Sequence, residues 1–399
     1  MDVVERIQRF NLGRDPERLA MKYANMRGDA FIFLRASCHL YYDRLPDAAV
    51  LCRAPAVWAC GDLHLENFGS YKGDNRQVYF DLNDFDESVL APATWDVVRF
   101  LSSVVVGRHS LAAGRTRARE LCERFLAAYS TALAIGQARW LERETAPSPV
   151  AELLRSLRDR RRVDLLDSRT VRKGKRRRLR VDGRKALSAS EDQQARVTAA
   201  IERCRIGGQD AKFFTVLDVA RRIAGNGSLG QDRYVVLVRG RGHPDGNFLF
   251  DLKAAPRSSL AGHTPLTQPR WPNEAERVVA IQRRVQAIPP AFLHTLTMGG
   301  TAYVLRDLQP SQDRVELARS RGQRRHADHL MAVMGQCVAW AHLRAGGRQG
   351  SATADALIDF GKDSRWHRPV LDAARAAAAQ VEADWATFAE AYDDGAFDV

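Results

Sequence analysis

Apolar positions along the chain follow two periods. Spacing of three and four predicts helices over Thr94 to about Tyr129 (WDVVRFLSSVVVGRH, then RARELCERFLAAYSTAL). The same spacing recurs in NEAERVVAIQRRVQAI, from about Gln312 to Ala345, and in the Ala-rich tail over 365–391. Thr94 is the expected N-cap of the first of these helices. Strand-like runs lie elsewhere. VYFDLNDFD closes on acidic residues, YVVLV is β-branched, and NFLFDLKAA alternates Phe248, Phe250 and Leu252. AFLHTLTMGGTAYVLRDLQP predicts two strands around Gly299–Gly300. Two prolines in ETAPSPV break the helical pattern near residues 144–150. The sum is an α+β chain.

With 399 residues and 45% hydrophobic content, the chain can bury a large core and form two or three lobes. Its six Cys include no CxxC pair, which argues for reduced thiols and against a disulfide framework or zinc site. The charged opening MDVVERIQRFNLGRDPER has no apolar core of signal-peptide length. No run approaches the ~20 apolar residues of a membrane span. A cytoplasmic location is expected.

The net charge of +13 is local. Arg155 to Lys185 holds 15 Lys and Arg against four Asp, a net +11. This 155–185 stripe is expected either as a solvated hairpin or partly disordered loop, or as an attractor for a polyanionic partner. It has no Phe, Tyr or Trp, so sequence-specific or base-stacking nucleic-acid recognition is not expected.

Two acidic clusters occupy Val57 to Arg99: GDLHLEN and NDFDE. Asp62 and Asn67 share a Gly-flanked loop, and Asp84 and Asp86 follow a strand-like run. An acid, an amide and a second acid on adjacent loops suit magnesium-dependent phosphoryl transfer: one carboxylate orients a hydroxyl while oxygen donors hold the metal. A lone His64 is expected to brace its loop by hydrogen bonds. Arg35, the odd charge in DAFIFLRASCHLYYDRL, is expected in a buried ion pair.

Farther on, GNGSLG places Gly225, Gly227 and Gly230 in a G-x-G-x-x-G spacing, with Ser228 between them. Glycines let a backbone approach phosphates closely. The following QDRYVVLVRG predicts a strand rather than a helix, which fits a hairpin lid and not a dinucleotide fold. Lys253 ends the next strand, a place that resembles that of the strand Lys which contacts ATP phosphates in kinases. Glu276, or alternatively Glu274, on the helix after it is the expected partner of the Lys253 ammonium.

GDLHLEN resembles the catalytic loop of aminoglycoside phosphotransferases and choline kinases, of the protein-kinase-like superfamily. DFDE resembles their metal-binding segment, and APATWDVVR the helix start after it. The resemblance implies Asp62 as catalytic base, Asn67 and Asp84 as metal ligands, and Asp96 as a buttress of the loop. Cys60 stands where those enzymes usually carry His, and Asp86 where protein kinases have Gly. The catalytic loop here precedes the Gly-rich hairpin and the long helix, so the order implies a circularly permuted, two-lobed kinase-like fold. Its small antiparallel-sheet lobe would span 213–310. Residues 1–150 and 311–399 would build a large helical lobe, with 151–212 as a basic insert. The landmarks GDLHLENFG, NDFDE, GNGSLG, LKAA with Ser258 beyond, ERVVAIQRRVQ and YVLRDLQ resemble the uncharacterised bacterial domain of unknown function 2252 family over most of the chain.

The expectation is an ATP- and Mg-dependent phosphotransferase. ATP would lie beneath Gly225, Gly227, Ser228 and Gly230, with Lys253 and Glu276 behind its phosphates and Asn67, Asp84 and Asp86 at the metal. Leu63-His64-Leu65-Glu66 stands where protein kinases place a Lys two residues after the base, which points to a small-molecule hydroxyl acceptor. The alternatives are a nucleotide-binding regulatory protein without turnover, AMP transfer on the same fold, and nucleic-acid binding through the basic stripe.

Overall fold

The computed structural model describes residues 2–46, 48–309 and 324–399. The predicted helix between 312 and 323, and the last residue of the YVLRDLQP segment, lie outside them. The chain opens with α1 (Val3–Asn11), α2 (Pro16–Gly28), α3 (Ala30–Ala36), α4 (Cys38–Asp43) and α5 (Ala49–Cys52). Then come β1 (Ala56–Ala59), β2 (Phe68–Lys72), β3 (Val78–Leu82), β4 (Val89–Pro92), α6 (Ala93–Val106), α7 (Arg115–Ile135) and β5 (Leu141–Glu142). The basic stretch folds as α8 (Val150–Ser156), α9 (Arg162–Arg169) and a hairpin of β6 (Thr170–Lys173) and β7 (Arg176–Leu179). Next are β8 (Ala186–Ser188), α10 (Glu191–Glu202), β9 (Val216–Arg222), β10 (Arg233–Val238), β11 (Phe248–Ala254), α11 (Glu274–Val285), β12 (His294–Met298) and β13 (Thr301–Asp307). The chain ends in α12 (Arg324–Ala345), α13 (Ala354–Lys362) and α14 (His367–Asp393).

The fold is α+β with antiparallel sheets. Its largest sheet has six strands in the order β12-β13-β11-β10-β9-β8. The turn from β12 to β13 is the expected two-residue hairpin. Gly299 (φ +54°) and Gly300 (φ +79°) both take the left-handed region that such tight turns demand. The sheet layer begins at about Ala186 and not at 213, because β8 pairs with β9 and α10 packs on the strands. The short, weakly patterned β8 gave no strand signal of its own.

Alternation along β11 sorts its side chains onto two faces. Phe250 and Leu252 join Tyr234, Val236 and Val238 in a cluster covered by Val197, Ala200 and Ile201 of α10. Leu249, Asp251 and Lys253 point the other way, toward the helices. There Leu249 packs with Val235, Leu237 and Leu308, and with Leu166 of α9, Leu179 of β7 and Ala186. The basic insert is therefore anchored as a folded cover on the sheet, and its β6–β7 part is the largely solvated hairpin expected. Leu166 and Leu179 are its apolar anchors, each worth roughly 1.5–3 kcal/mol when buried. Arg177 is also sequestered, at 1% exposure, bonding Asp167, Thr170, Asp245 and the Pro244 carbonyl.

The helical layer packs α7 against α12 and α13, and α6 against α14. Thr94 does not cap α6. Pro92 holds the N-cap position, and the buried Thr94 hydroxyl donates to the Val50 carbonyl (3.0 Å). A β4 strand running directly into the helix leaves Thr94 inside the first turn. Among the described residues, no helix is long and apolar enough to cross a membrane.

Candidate functional site

The turn between β1 and β2 carries GDLHLEN, and Asp96 holds it in place. Its carboxylate accepts the backbone N–H groups of Cys60 (2.8 Å) and Gly61 (2.9 Å). His342 of α12 contacts the same carboxylate through Nε2 (3.3 Å), and its Nδ1 meets the Tyr129 hydroxyl (2.9 Å). Gly61 is required at the bend. Its φ is +87°, and a Cβ there would sit 2.3 Å from the Glu87 carbonyl oxygen. Tyr42, in the aromatic segment before the loop, donates its hydroxyl to the Gly61 carbonyl (2.5 Å).

Asp62 follows the bend. Buried Arg99 grips one of its carboxylate oxygens from Nε (3.1 Å) and Nη2 (2.6 Å). The Asp62 carboxyl is 22% exposed, so it still opens onto the cavity. Burial pushes its pKa up, Arg99 opposes that, and the balance lifts it to about 6. Asn67 donates its amide N–H to the Asp62 carbonyl (2.9 Å), which orients its side chain and leaves Oδ1 without a partner among the described residues. His64 accepts the Glu66 N–H at Nδ1 (3.1 Å), bracing the loop as expected. Arg35 forms its expected ion pair, with Glu66 (2.7 Å).

The second acidic cluster turns between β3 and β4. Asp84 opens onto the cavity. Burial of its surroundings raises its pKa, but the Lys253, Arg306 and Arg233 charges outweigh that and hold it below the usual carboxylate value. The Cys60 thiol donates to the Asp84 carbonyl (2.8 Å), so Cys60 joins the two acidic loops. Asp86 pairs with Lys253. Glu87 accepts the Ser259 N–H (2.5 Å) and hydroxyl (3.0 Å), and its carbonyl accepts from Ser258 (2.9 Å). Burial lifts the Glu87 carboxyl to about 7.

A cavity of about 70 Å3 collects these groups. Asp62, Asn67, Asp84 and Asp86 line it from the helical side, and Gly225, Gly227, Ser228 and Lys253 from the sheet side. Two expected residues are not there. Glu276 sits in the first turn of α11, capped by Asn273, and its carboxylate accepts the Thr295 hydroxyl of β12 (2.6 Å) rather than meeting Lys253. Glu274 pairs with Arg277 (2.6 Å). Gly230 lies against Arg14 and Asp15, outside the cavity. The helix instead contributes Arg277, which donates to the backbone carbonyls of Asp86 (2.8 Å) and Ser88 (2.5 Å). Its role was not legible because helical spacing cannot show which polar residue faces the acidic loop.

The N-terminal segment, the α1–α2 loop and α2, adds cations that the sequence pattern did not reveal. Arg14 donates to the carbonyls of Gly227 (2.9 Å) and Leu229 (3.0 Å). Lys22, fully buried, donates to Asn11 (2.9 Å) and to Gly227 (3.3 Å). Together they tie the Gly-rich loop down over the cavity. Beside Lys253, Asp251 is buried among Arg222 (2.6 Å), Arg233 (2.6 Å) and Arg306 (3.4 Å). This ion cluster, then the insert, fills the sheet face that leads away from Lys253.

Among the described residues, no group of three or more His, Cys, Asp or Glu is arranged to hold a metal. The fit for magnesium rests on two oxygen donors, the unpartnered Asn67 Oδ1 and the ionised Asp84 carboxylate. That matches a hard cation which takes one or two protein ligands and completes its shell with phosphate and water. Asp86, engaged by Lys253, is not free to join them in this arrangement.

No curated protein and no solved structure shows significant similarity to the chain. A family model matches residues 14–391, from Arg14 at the cavity to the last helix, and by that match the chain belongs to the family described as an uncharacterised protein conserved in bacteria, DUF2252.

Proposed function

We propose that this protein is a magnesium-dependent phosphotransferase that uses ATP and a small-molecule hydroxyl, built on a circularly permuted kinase-like fold. One observation carries the reading. Two stretches separated by about 140 residues, the GDLHLEN–NDFDE pair and the GNGSLG–Lys253 pair, converge on one cavity. The sheet adds support through its order of Gly-rich hairpin, Lys strand, helix and two further strands, followed by the long helix whose His342 reaches the catalytic turn.

Asp62 would accept the proton of the acceptor hydroxyl while that oxygen attacks the terminal phosphorus of ATP and the bond to the bridging oxygen breaks. A carboxyl near pKa 6 is mostly ionised at neutral pH and still basic enough to serve. Arg99 fixes its direction. Asn67 and Asp84 would hold magnesium, which supplies neutralisation of phosphate charge. Lys253, once released from Asp86, would contact the transferred phosphate. The cavity accommodates a phosphoryl group but not a whole nucleotide, for which pockets of roughly 300 Å3 and more are usual. A nucleotide would therefore extend beyond this cavity, or the Gly-rich loop would lift from Arg14 and Lys22 to admit it.

The test is incubation with ATP labelled at the γ- or the α-phosphate, magnesium and a panel of hydroxyl acceptors. Transfer of γ-label that is lost in Asp62→Asn, with ATP binding retained, is expected. Transfer of α-label would mean AMP transfer instead. Turnover by Asp62→Asn at the parent rate would remove Asp62 as the base.

A further inference from the structure

A second cavity, of about 410 Å3, shares no lining residue with the first. It lies where the insert, the far ends of β10 and β11, and the β2–β3 hairpin meet. Six cationic side chains reach it: Lys72, Arg76, Arg160, Arg161, Arg162 and Arg241. Only two acids, Asp74 and Asp307, face them. Phe213, Phe248 and Phe292 form an aromatic wall.

The balance of charge is unusual for a structural seam. Arg161 pairs with Asp164 (2.9 Å), yet Arg76, Arg162 and Arg241 form no ion pair among the described residues. The Arg162 guanidinium lies over the Phe248 ring, 4.0 Å from its centre. Burial lowers its pKa, Arg241 and Arg76 lower it further, and Asp307 opposes them only in part. Cations gathered at a partly desolvated wall, each raising the cost of the next, are stabilised by an anion that bridges them. The volume falls within the range of small-molecule sites, roughly 300–1,000 Å3.

We infer that this cavity is a binding site for a small molecule bearing clustered phosphates, its charge held by Arg76, Arg162 and Arg241 and its body against Phe248 and Phe292. Guanidinium groups suit phosphate because their paired N–H donors match two phosphate oxygens. A phosphorylated small molecule fits better than a nucleic acid. The charges converge on one concave cavity rather than along an extended stripe, and the aromatic rings pack on one another instead of standing out as a stacking ladder. The inference is independent of the phosphotransferase reading, since neither Asp62 nor Lys253 takes part.

Calorimetric titration of the full chain with inorganic triphosphate, and separately with ATP, tests it. Arg76 and Arg241 are exposed, so Arg76→Glu and Arg241→Glu leave the core intact. Triphosphate binding should survive Lys253→Ala, and each charge reversal should weaken it about tenfold or more. ATP binding tighter than triphosphate at this site would identify a nucleotide, and equal binding a non-nucleotide phosphate. Unchanged affinity in both reversal variants would overturn the inference, as would absence of binding by either probe or loss of all binding in Lys253→Ala. A short single-stranded oligonucleotide that outcompetes triphosphate in an Arg76- and Arg241-dependent way would overturn it in favour of nucleic acid.

Discussion

Lys253 on the sheet pairs with Asp86 on the acidic turn, across 167 positions of sequence. The ammonium that would serve a phosphate is thus occupied by a carboxylate of the opposite layer. Removing either member has different consequences. Asp86→Asn frees the ammonium and should leave ATP affinity equal or higher. Lys253→Ala should lower ATP affinity about tenfold or more, measured by calorimetry, because a charge-assisted contact to phosphate is lost.

Asp62 sets a pH dependence. Its folded value of about 6 lies above the unfolded 3.8, so its contribution to stability is present below the unfolded value and lost as pH rises through about 6. Under the proposed phosphotransferase reading, transfer should run the opposite way, because a base at Asp62 must be ionised. The rate should climb through about pH 6 and level off above it, read from the pH profile under saturating substrate. Glu87 behaves alike for stability, with its loss centred between 4.5 and about 7. Glu87→Gln should flatten the decline of the urea midpoint over that window.

Lys22 and Arg14 make the Gly-rich loop quiet. Lys22→Met keeps the volume and removes the bond to Gly227. Amide hydrogen exchange at 225–230 should quicken by about tenfold, while the melting temperature changes little, because a buried ammonium is itself costly. Unchanged exchange would mean that the loop is held by other contacts.

The arginines of the basic hairpin are not equivalent. Arg177 is sealed between Asp167, Thr170 and Asp245, whereas Arg176 is exposed. Arg177→Ala should cost roughly 1–3 kcal/mol in urea unfolding, and Arg176→Ala within about 0.5 kcal/mol of nothing. An equal effect at both positions would contradict the packing described.

Much of this arrangement was legible in the chain. The helices α6, α7, α11 and α14 and the strands β10 to β13 follow their apolar periods. The acidic loops and the Gly-rich loop were readable because each joins special residue types at short spacing. Chain order and net charge each hid a contact. Glu276 was paired with Lys253 by chain order, but the rotation of α11 sends it to Thr295 and brings Arg277 to the acidic turn. The basic stripe was judged by net charge, which hid Leu166 and Leu179 between the arginines. Partners distant in sequence, such as Lys22 with Gly227, leave no local signature.

The bracing of Asp96 by His342 has a consequence for biogenesis. The turn bearing Asp62 is made early by the ribosome, yet the imidazole that backs its buttress is joined 246 residues after Asp96. A nascent chain therefore carries the Asp62 turn without this support until His342 has been added and has left the ribosome.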